Sequence, residues 1–164
     1  MRYTCITILF LFFFSACQYE ESPYFKTILK NEIGDFRGAH IGENINTIKA
    51  LEDARFLWDK SYDYLHYDYA ISMGNSYTIT YDFSQQDELY EIEATVYLDD
   101  INDASLLFEN FNSYFDKKYG NNTKTEDGFT TWNVKNAHHH LEFALKNDSV
   151  SYTIITIIIR DLDY

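Results

Sequence analysis

The amino-acid sequence predicts an α+β fold in which a six-stranded antiparallel sheet packs its apolar face against two helices. Three observations support this class: segments in which apolar and polar residues alternate, turn-forming residues between those segments, and apolar residues repeated at helical spacing in two other segments. Strict alternation is typical of strands that have one face on a core and the other in water. We therefore expect a sheet with one covered and one wet face.

The first of the two helices is expected at about residues 43–53, after a segment of less regular sequence. Residues 24–33 are weakly amphipathic and fit either a short helix or an extended arm. Glycines then recur every four residues, at Gly34, Gly38 and Gly42. Charged residues interrupt this spacing, so it predicts an irregular loop rather than a packing motif of membrane helices. Apolar residues at helical spacing follow over 43–53, at Ile45, Ile48 and Leu51.

Three strands joined by tight turns are predicted next, over 61–73, 76–83 and 90–98. In the first of them the outward face carries Tyr62, Tyr64, His66 and Asp68. Gly74-Asn75 is a turn signal, because both residue types tolerate a positive φ. Consecutive strands joined in this way form an antiparallel meander with one wet face.

The second helix and three further strands are predicted over 102–160. Asn102 suits the N-cap, Asp103 suits the first turn, and Gly120 suits the residue that follows the helix. After a polar loop at 121–128, the strands fall at about 129–134, 138–146 and 150–160, with a turn at 147–149. In the last strand, residues 154–159 are apolar on both faces apart from Thr156, which predicts a central strand covered on both sides, or partly so.

The two halves of the chain, about 41–98 and 102–160, repeat the order of one helix and three strands. A constant offset aligns residues of similar character, such as Ile79 with Leu141 and Ile92 with Ile154. A tandem α-βββ duplication would produce this match, although strand alternation alone would produce part of it. The helix-then-meander unit resembles small envelope lipoproteins of the outer-membrane assembly type, and tandem inhibitor proteins built from such units. The resemblance covers topology alone, and no functional residue is carried over from it.

The first residues have the organisation of a secretory signal peptide. Arg2 provides a positive charge, residues 6–14 are apolar apart from Thr7, and small residues precede Cys17. The apolar run is well short of the ~20 residues that span a bilayer. Phe14-Ser15-Ala16-Cys17 resembles the lipobox of bacterial lipoproteins, with Phe14 where Leu is usual. The resemblance implies cleavage before Cys17 and lipid attachment to Cys17, whereas an ordinary signal with an incidental cysteine is the alternative.

This resemblance divides the chain into a signal peptide (1–16), a lipidated cysteine with a tether (17–33) and one α+β domain (34–164). Cys5 lies in the signal, so processing leaves Cys17 alone and no internal disulfide can form. Gln18, where inner-membrane lipoproteins have Asp, implies the outer membrane. Glu20 and Glu21 resemble acidic surface-export signals, or form a solvated linker. We expect an envelope protein held by its acyl chains, facing the periplasm or the cell surface.

The charge balance limits the classes of partner. The chain has a formal net charge of −13 and no clustered Lys/Arg face, which excludes nucleic acid as an expected partner and gives no electrostatic attraction to anionic lipid. An acidic protein favours a cationic partner or ion. The fifteen tyrosines and thirteen phenylalanines suit half-exposed strands, and also interaction surfaces.

Two groups of residues are candidate sites. Tyr62, Tyr64, His66 and Asp68 share one strand face, and aromatic rings beside carboxylates form a platform for sugars or peptide side chains, or simply a partly covered wet face. His138, His140 and Glu142 would share a face of another strand and could hold zinc, with His66 completing the set if its strand were adjacent. A solvated histidine run is the more common case, and no HExxH spacing is present, so we expect no metal and no cofactor.

The sequence predicts a non-catalytic protein. It lacks GxSxG and phosphate-loop motifs, and acidic residues near 91–103 lack the calcium-loop pattern. The expected function is that of a lipid-anchored envelope lipoprotein that binds a protein or glycan partner. The alternative is a periplasmic immunity or inhibitor lipoprotein that neutralises a toxin or hydrolase. A small hydrolase is a third hypothesis, which requires a cleft with a carboxylate or histidine of perturbed pKa.

Overall fold

The computed structural model describes residues 20–72, 74–148 and 153–164. The α-helices in these ranges are α1 (Phe25–Leu29), α2 (Ile45–Leu51) and α3 (Ile101–Tyr119), with a 3-10 turn at Ala54–Phe56. The strands are β1 (Leu57–Lys60), β2 (Tyr64–Ser72), β3 (Asn75–Phe83), β4 (Leu89–Tyr97), β5 (Thr123–Lys124), β6 (Thr130–Lys135), β7 (His140–Asn147) and β8 (Ile154–Asp161).

The α+β class and the antiparallel sheet are confirmed, whereas the prediction of six strands and two helices is wrong. The described residues form one eight-stranded sheet and three α-helices. The two additional strands, β1 and β5, lie at the edges of the sheet and are four and two residues long, too short to show an alternating pattern. The additional helix is α1, five residues within the segment that fitted either a helix or an arm.

Two meanders meet in the middle of the sheet. The strand order is β1-β2-β3-β4-β8-β7-β6-β5, and every neighbouring pair is antiparallel. This order fits the tandem duplication, which stays a prediction. The offset that aligned Ile92 with Ile154 is wrong for the last strands. Ile92 is fully buried in the core, whereas Ile154 pairs with the exposed Tyr97 and lies on the other face of the sheet. A change of one residue in register moves a side chain to the opposite face.

All three helices cover the same face of the sheet and share a single core with it. The ring of Phe115 on α3 lies 5.2 Å from that of Trp132 and 5.9 Å from that of Phe143. Phe25 on α1 lies 4.8 Å from Phe111 in an edge-on arrangement. No helix among the described residues has both the length and the apolar character needed to cross a membrane.

Helix α3 begins two residues earlier than the capping pattern predicted. The N-cap is Asp100, whose side chain accepts a hydrogen bond from the Asn102 backbone N–H at 2.6 Å. Asn102 therefore lies in the first turn, and the prediction of a cap there is wrong. Asp103 in the first turn and Gly120 at the C-terminal end, with φ of 90°, are confirmed. Asp and Asn are both preferred N-cap residues, because the side-chain oxygen of each can accept a hydrogen bond from a backbone N–H in the first turn. The residue types alone therefore did not distinguish Asp100 from Asn102 as the N-cap.

The glycines of the four-residue spacing lie in an irregular loop, as predicted. Gly34 has φ of 84°, and an added Cβ would lie 2.5 Å from the carbonyl oxygen of Ala39. The turn at this point therefore requires glycine both for its backbone conformation and for the close approach of the chain. Between the glycines, Arg37 also has a positive φ, of 56°, although it is not a glycine.

Packing extends further toward the N-terminus than the expected domain boundary at residue 34. Asn110 of α3 accepts a hydrogen bond from the Ser22 backbone N–H at 2.6 Å and donates one to the Glu20 carbonyl at 3.1 Å. Ser22 is 3% exposed and Asn110 is 1% exposed. The chain from Glu20 onward is therefore part of the folded domain, and residues 1–19, including Cys17, lie outside the described residues.

Candidate binding surface on the open face of the sheet

The face of the sheet opposite the helices has no covering layer among the described residues. We call it the open face, and it consists of the outward side chains of β2–β4 and β6–β8. Strand β8 is central, between β4 and β7, as its apolar sequence predicted. Its outward residues Ile154 and Ile158 are half-buried only by neighbouring strands, so full cover on both sides is not observed.

The predicted aromatic and acidic platform is present in part. Tyr64, His66 and Asp68 lie on the outward side of β2, as the alternation predicts. Tyr62 does not share that face, because the strand begins only at Tyr64, after a turn closed by the Ser61 N–H and the Tyr64 carbonyl at 3.0 Å. The Tyr62 side chain is 78% exposed.

A groove of about 460 Å³ lies at the edge of the open face. It is lined by Trp58, Asp59, Tyr64, His66, Thr80 and Asp82, and we call it the edge groove. A register shift between Leu57 and Asp59 in β1 sets Asp59 opposite His66 on the open face. Trp58 lies within this irregularity and is 76% exposed. Sequence reasoning missed the contribution of β1, because a four-residue strand with a bulge has no readable period.

Hydrogen bonds order the base of the edge groove. The Tyr64 hydroxyl donates to Asp59 Oδ2 at 2.6 Å, and the Lys60 backbone N–H donates to Asp59 Oδ1 at 2.8 Å. Both bonds favour the carboxylate and lower the pKa of Asp59. His66 Nδ1 lies 2.8 Å from Thr80 Oγ1, across the β2–β3 pair.

Asp82, on the other side of the edge groove, has the opposite pKa shift. Burial, followed by the charges of Glu91, Glu93 and Asp63, raises the pKa of Asp82 to about 6. Asp82 stands directly opposite Glu91 in the β3–β4 register, and like charges in such a position destabilise a sheet. Strands β2, β3 and β4 contain no Lys or Arg. This half of the open face is therefore acidic and lacks cations on its own strands.

The other half of the open face is more nearly neutral. Arg160 on β8 donates twice to Oε1 of Glu142 on β7, from Nε at 3.0 Å and from Nη2 at 2.7 Å. On the side of this half that adjoins β4, in the centre of the open face, lie apolar side chains of β7 and β8: Ala144, Ile154 and Ile158. An apolar centre beside charged residues is typical of protein interfaces.

The structure does not assemble the histidine candidate. Strand β7 begins at His140, so His138 lies in a turn, where Asn136 Oδ1 accepts from its backbone N–H at 2.8 Å. The shared strand face assumed for His138 is therefore wrong, and the Glu142 carboxylate is engaged by Arg160. His66 is on β2, with three strands between it and β7. Within the described ranges, no group of three or more His, Cys, Asp or Glu could hold a metal ion.

A buried ionic cluster beneath the sheet was not predicted from the sequence. Glu52, at the end of α2, has a fully buried side chain that pairs with Arg37 at 2.8 Å and accepts hydrogen bonds from the hydroxyls of Tyr69 and Tyr81. Burial opposes ionisation of Glu52, but the hydrogen bonds and charge of Arg37 outweigh it and lower the pKa of Glu52 to about 2. Because both carboxylate oxygens have partners, the cluster serves the fold rather than a ligand.

Comparison of the chain with protein families, with curated proteins and with solved structures found no match. The class of the protein is thus defined by its own fold and surface: an α+β domain with an uncovered antiparallel sheet face. That face is acidic on β2–β4 and apolar at its centre.

Proposed function

We propose that the protein is a lipoprotein of the cell envelope, anchored to the outer membrane through Cys17, and that it acts as a non-catalytic binding module for a protein partner. The observation that carries the proposal is the open face, which combines an apolar centre with an acidic half. Lipid attachment is supported by the lipobox-like sequence that ends at Cys17. An anchored domain with one uncovered sheet face is well suited to hold a partner at a membrane surface.

The dimensions of the open face favour a protein over a glycan. Six strands about 4.8 Å apart and about 27 Å long give a face on the order of 700 Å². A standard protein interface buries ~800 Å² on each partner. A glycan would occupy only the edge groove, by stacking on Trp58, and would leave the apolar centre at Ile154 and Ile158 unused.

The charge of the open face favours a basic partner. Its acidic half presents Asp68, Asp82, Glu91 and Glu93, and Asp59 adds a carboxylate at the edge. Complementary charge speeds association and excludes acidic competitors. The edge groove fits a Lys or Arg side chain of such a partner, because the carboxylate of Asp59 lies beside the rings of Trp58 and Tyr64.

Catalysis is the less favoured function for this groove. Asp59 and Asp82 have pKa shifts of opposite sign, an arrangement that acid–base enzymes also use. Enzymes, however, exclude water from such a pair, whereas this groove is open beside an exposed Trp58. Partial burial and the neighbouring carboxylates already explain the raised pKa of Asp82, without a catalytic role. Glycoside hydrolysis by the purified protein that disappears in Asp82→Asn would contradict the proposal.

A second candidate is an immunity or inhibitor lipoprotein of the periplasm. The acidic half of the open face favours it, since it would neutralise a basic toxin or hydrolase by covering the cationic surface of that protein. This candidate predicts a one-to-one complex and a growth defect of the deletion strain only when the toxin is present. A growth defect in the absence of any toxin would favour a general binding role.

The anchor is tested by the mass of the full chain extracted from membranes of its expressing cells. The expected species begins at Cys17 and carries acyl chains. In the Cys17→Ser variant the acylated species should be absent and the protein should leave the membrane fraction. A wild-type protein that is processed elsewhere and released with a free Cys17 thiol would overturn the anchored part of the proposal.

The binding surface is tested by photo-crosslinking in cells that produce the full chain. A photoreactive residue replaces Thr156, at the centre of the open face, or Glu109, exposed on α3. We expect one abundant adduct with a basic protein from position 156 and none from position 109. Adducts from position 109 alone, or with an acidic protein, would contradict the assignment. A protein that yields no adduct and is retained by a glycan resin would contradict the choice of a protein partner.

A further inference from the structure

We propose that the anchor holds the helical side of the domain against the bilayer and turns the open face away from it, toward the aqueous compartment. This inference rests on the proposed attachment of lipid to Cys17. It deepens the proposed function because it defines the side from which a partner must approach.

The first described residues are fixed to the helical layer. The side-chain amide of Asn110, buried on α3, binds the backbone at both Ser22 and Glu20. The Tyr24 hydroxyl accepts a hydrogen bond from Asn75 Nδ2 at 2.9 Å, and the Phe25 ring packs on Phe111 of α3. The chain therefore enters the domain along α3, in the layer that covers the core face of the sheet.

The segment that remains between the anchor and the domain is short. Cys17 precedes Glu20 by three residues in the sequence, and the Glu20 carbonyl already has its partner on α3. Three fully extended residues reach at most about 10 Å. A lipid attached to Cys17 would thus keep the domain within about one helix diameter of the headgroups.

The geometry of the layers then sets the orientation. Helix α3 packs on the core side of β6, β7 and β8, and the open face lies on the other side of the same strands. A helix layer and a sheet together are on the order of 15–20 Å thick. A tether of about 10 Å cannot pass round the edge of an eight-stranded sheet to bring the open face to the bilayer.

Charge acts in the same direction for the β2–β4 half of the open face only, because the β6–β8 half carries Lys135, Lys146 and Arg160. The helical layer exposes lysines, including Lys26 of α1 and Lys117 of α3, together with acidic residues such as Glu109. The β2–β4 half of the open face has carboxylates and no Lys or Arg. Anionic headgroups repel such a face. The partner is therefore a soluble protein that approaches from the aqueous side, rather than a neighbour embedded in the same membrane.

The test uses the full lipidated chain in vesicles that contain a lipid with a quencher on its headgroup. Because lipid occupies the Cys17 thiol, a fluorophore reacts only with a single introduced cysteine. Ser113→Cys places the fluorophore on the exposed side of α3. Asp68→Cys and Asn133→Cys place it on the open face, on β2 and on β6. We expect quenching at position 113 to be at least threefold stronger than at positions 68 and 133.

A matched variant isolates the effect of tether length. Insertion of twelve Gly/Ser residues after Gln18 leaves the anchor and the described domain unchanged, and it should reduce quenching at position 113 to the level at position 133. If the protein floats with the vesicles, the attachment is intact. Stronger quenching at positions 68 and 133 than at position 113, or no effect of the insertion, would then overturn the orientation alone. A wild-type chain that does not float with them overturns the attachment at Cys17 as well.

Discussion

Glu52 and Arg37 form a two-point ion pair inside the core of the domain. Arg37 Nε lies 2.8 Å from Glu52 Oε1, and Nη2 lies 3.0 Å from Oε2. Arg37 also donates to the Ile28 carbonyl at 2.7 Å, so one guanidinium joins the end of α1 to the end of α2. The hydroxyls of Tyr69 on β2 and Tyr81 on β3 donate to the same carboxylate. The ion pair therefore connects α1, α2 and the glycine loop to β2 and β3.

Removal of the Glu52 charge should strongly destabilise the fold. In Glu52→Gln the guanidinium of Arg37 stays buried without its counter-charge, and breaking a buried pair in this way costs about 3–5 kcal/mol. We expect a loss of that size in the free energy of unfolding, measured by urea denaturation at pH 7. Glu109→Gln, at an exposed position of α3, is the matched control and should change stability by less than about 0.5 kcal/mol. A loss below about 1 kcal/mol for Glu52→Gln would show that the pair does not hold the core together.

The same carboxylate should make the fold sensitive to acid. Its pKa is lowered from 4.5 to about 2 in the folded state, so the stability that it contributes is present above pH 4.5 and is lost as the pH falls from 4.5 toward 2. Urea denaturation of the wild type at pH 7, 4.5 and 3 should show this loss. In Glu52→Gln the fall between pH 4.5 and 3 should be smaller. Parallel curves for the two proteins would mean that other carboxylates cause the acid sensitivity.

Asp82 should have the opposite effect on stability. Its pKa is raised from 3.8 to about 6, so the folded state disfavours the carboxylate and gains relative stability as the pH falls from 6 to 3.8. Because Asp82 is half-exposed, we discount the effect for solvent screening and expect Asp82→Asn to stabilise the protein by about 1 kcal/mol at pH 7. At pH 4 the gain should vanish.

Glu142→Gln provides the control for Asp82 on the same face, since Glu142 is paired with Arg160. It should leave stability at pH 7 unchanged or slightly lower. Thermal denaturation of both variants at pH 7 and pH 4 makes the comparison. A destabilised Asp82→Asn at pH 7 would mean that its carboxylate has a stabilising partner.

The attachment of the N-terminal segment to α3 should depend on Asn110. Asn110→Ala removes both hydrogen bonds and leaves the buried Ser22 N–H without a partner, which costs about 1–3 kcal/mol. We expect that loss in urea denaturation, together with faster proteolysis near residues 20–24. Asn112→Ala, which removes only a bond to Asp116 within α3, should have little effect on proteolysis there. Equal proteolysis of the two variants would contradict the role of Asn110.

The elements that the sequence predicted well are those with a long, unbroken period. Strands β2 and β3 alternate over nine residues each, and α3 repeats apolar residues over nineteen. Strands β1 and β5 have four and two residues, so no period could reveal them. The one-residue error in aligning β4 with β8 arose because β8 is apolar on both sides, and its alternation does not show which side faces the core.

The candidate surface could be predicted only in part, for a related reason. Alternation correctly placed Tyr64, His66 and Asp68 on one outward face. The edge groove also needs Asp59, which reaches that face through a bulge. It needs Asp82 as well, which comes from a neighbouring strand. Arg37 and Glu52 gave no signal either, because charged residues in loop and helix-end segments are normally solvated and only their tertiary contacts show that they are buried.

The most direct test of the open face is the affinity for the basic protein that photo-crosslinking from position 156 identifies. The dissociation constant is measured at low salt for the wild type, for the double variant Glu91→Lys/Glu93→Lys on β4, and for Glu109→Lys on α3. We predict a loss of at least tenfold for the β4 variant and less than twofold for Glu109→Lys, with both variants folded by circular dichroism. Equal affinities for all three proteins, or a loss confined to Glu109→Lys, would contradict the assignment of the open face as the binding surface.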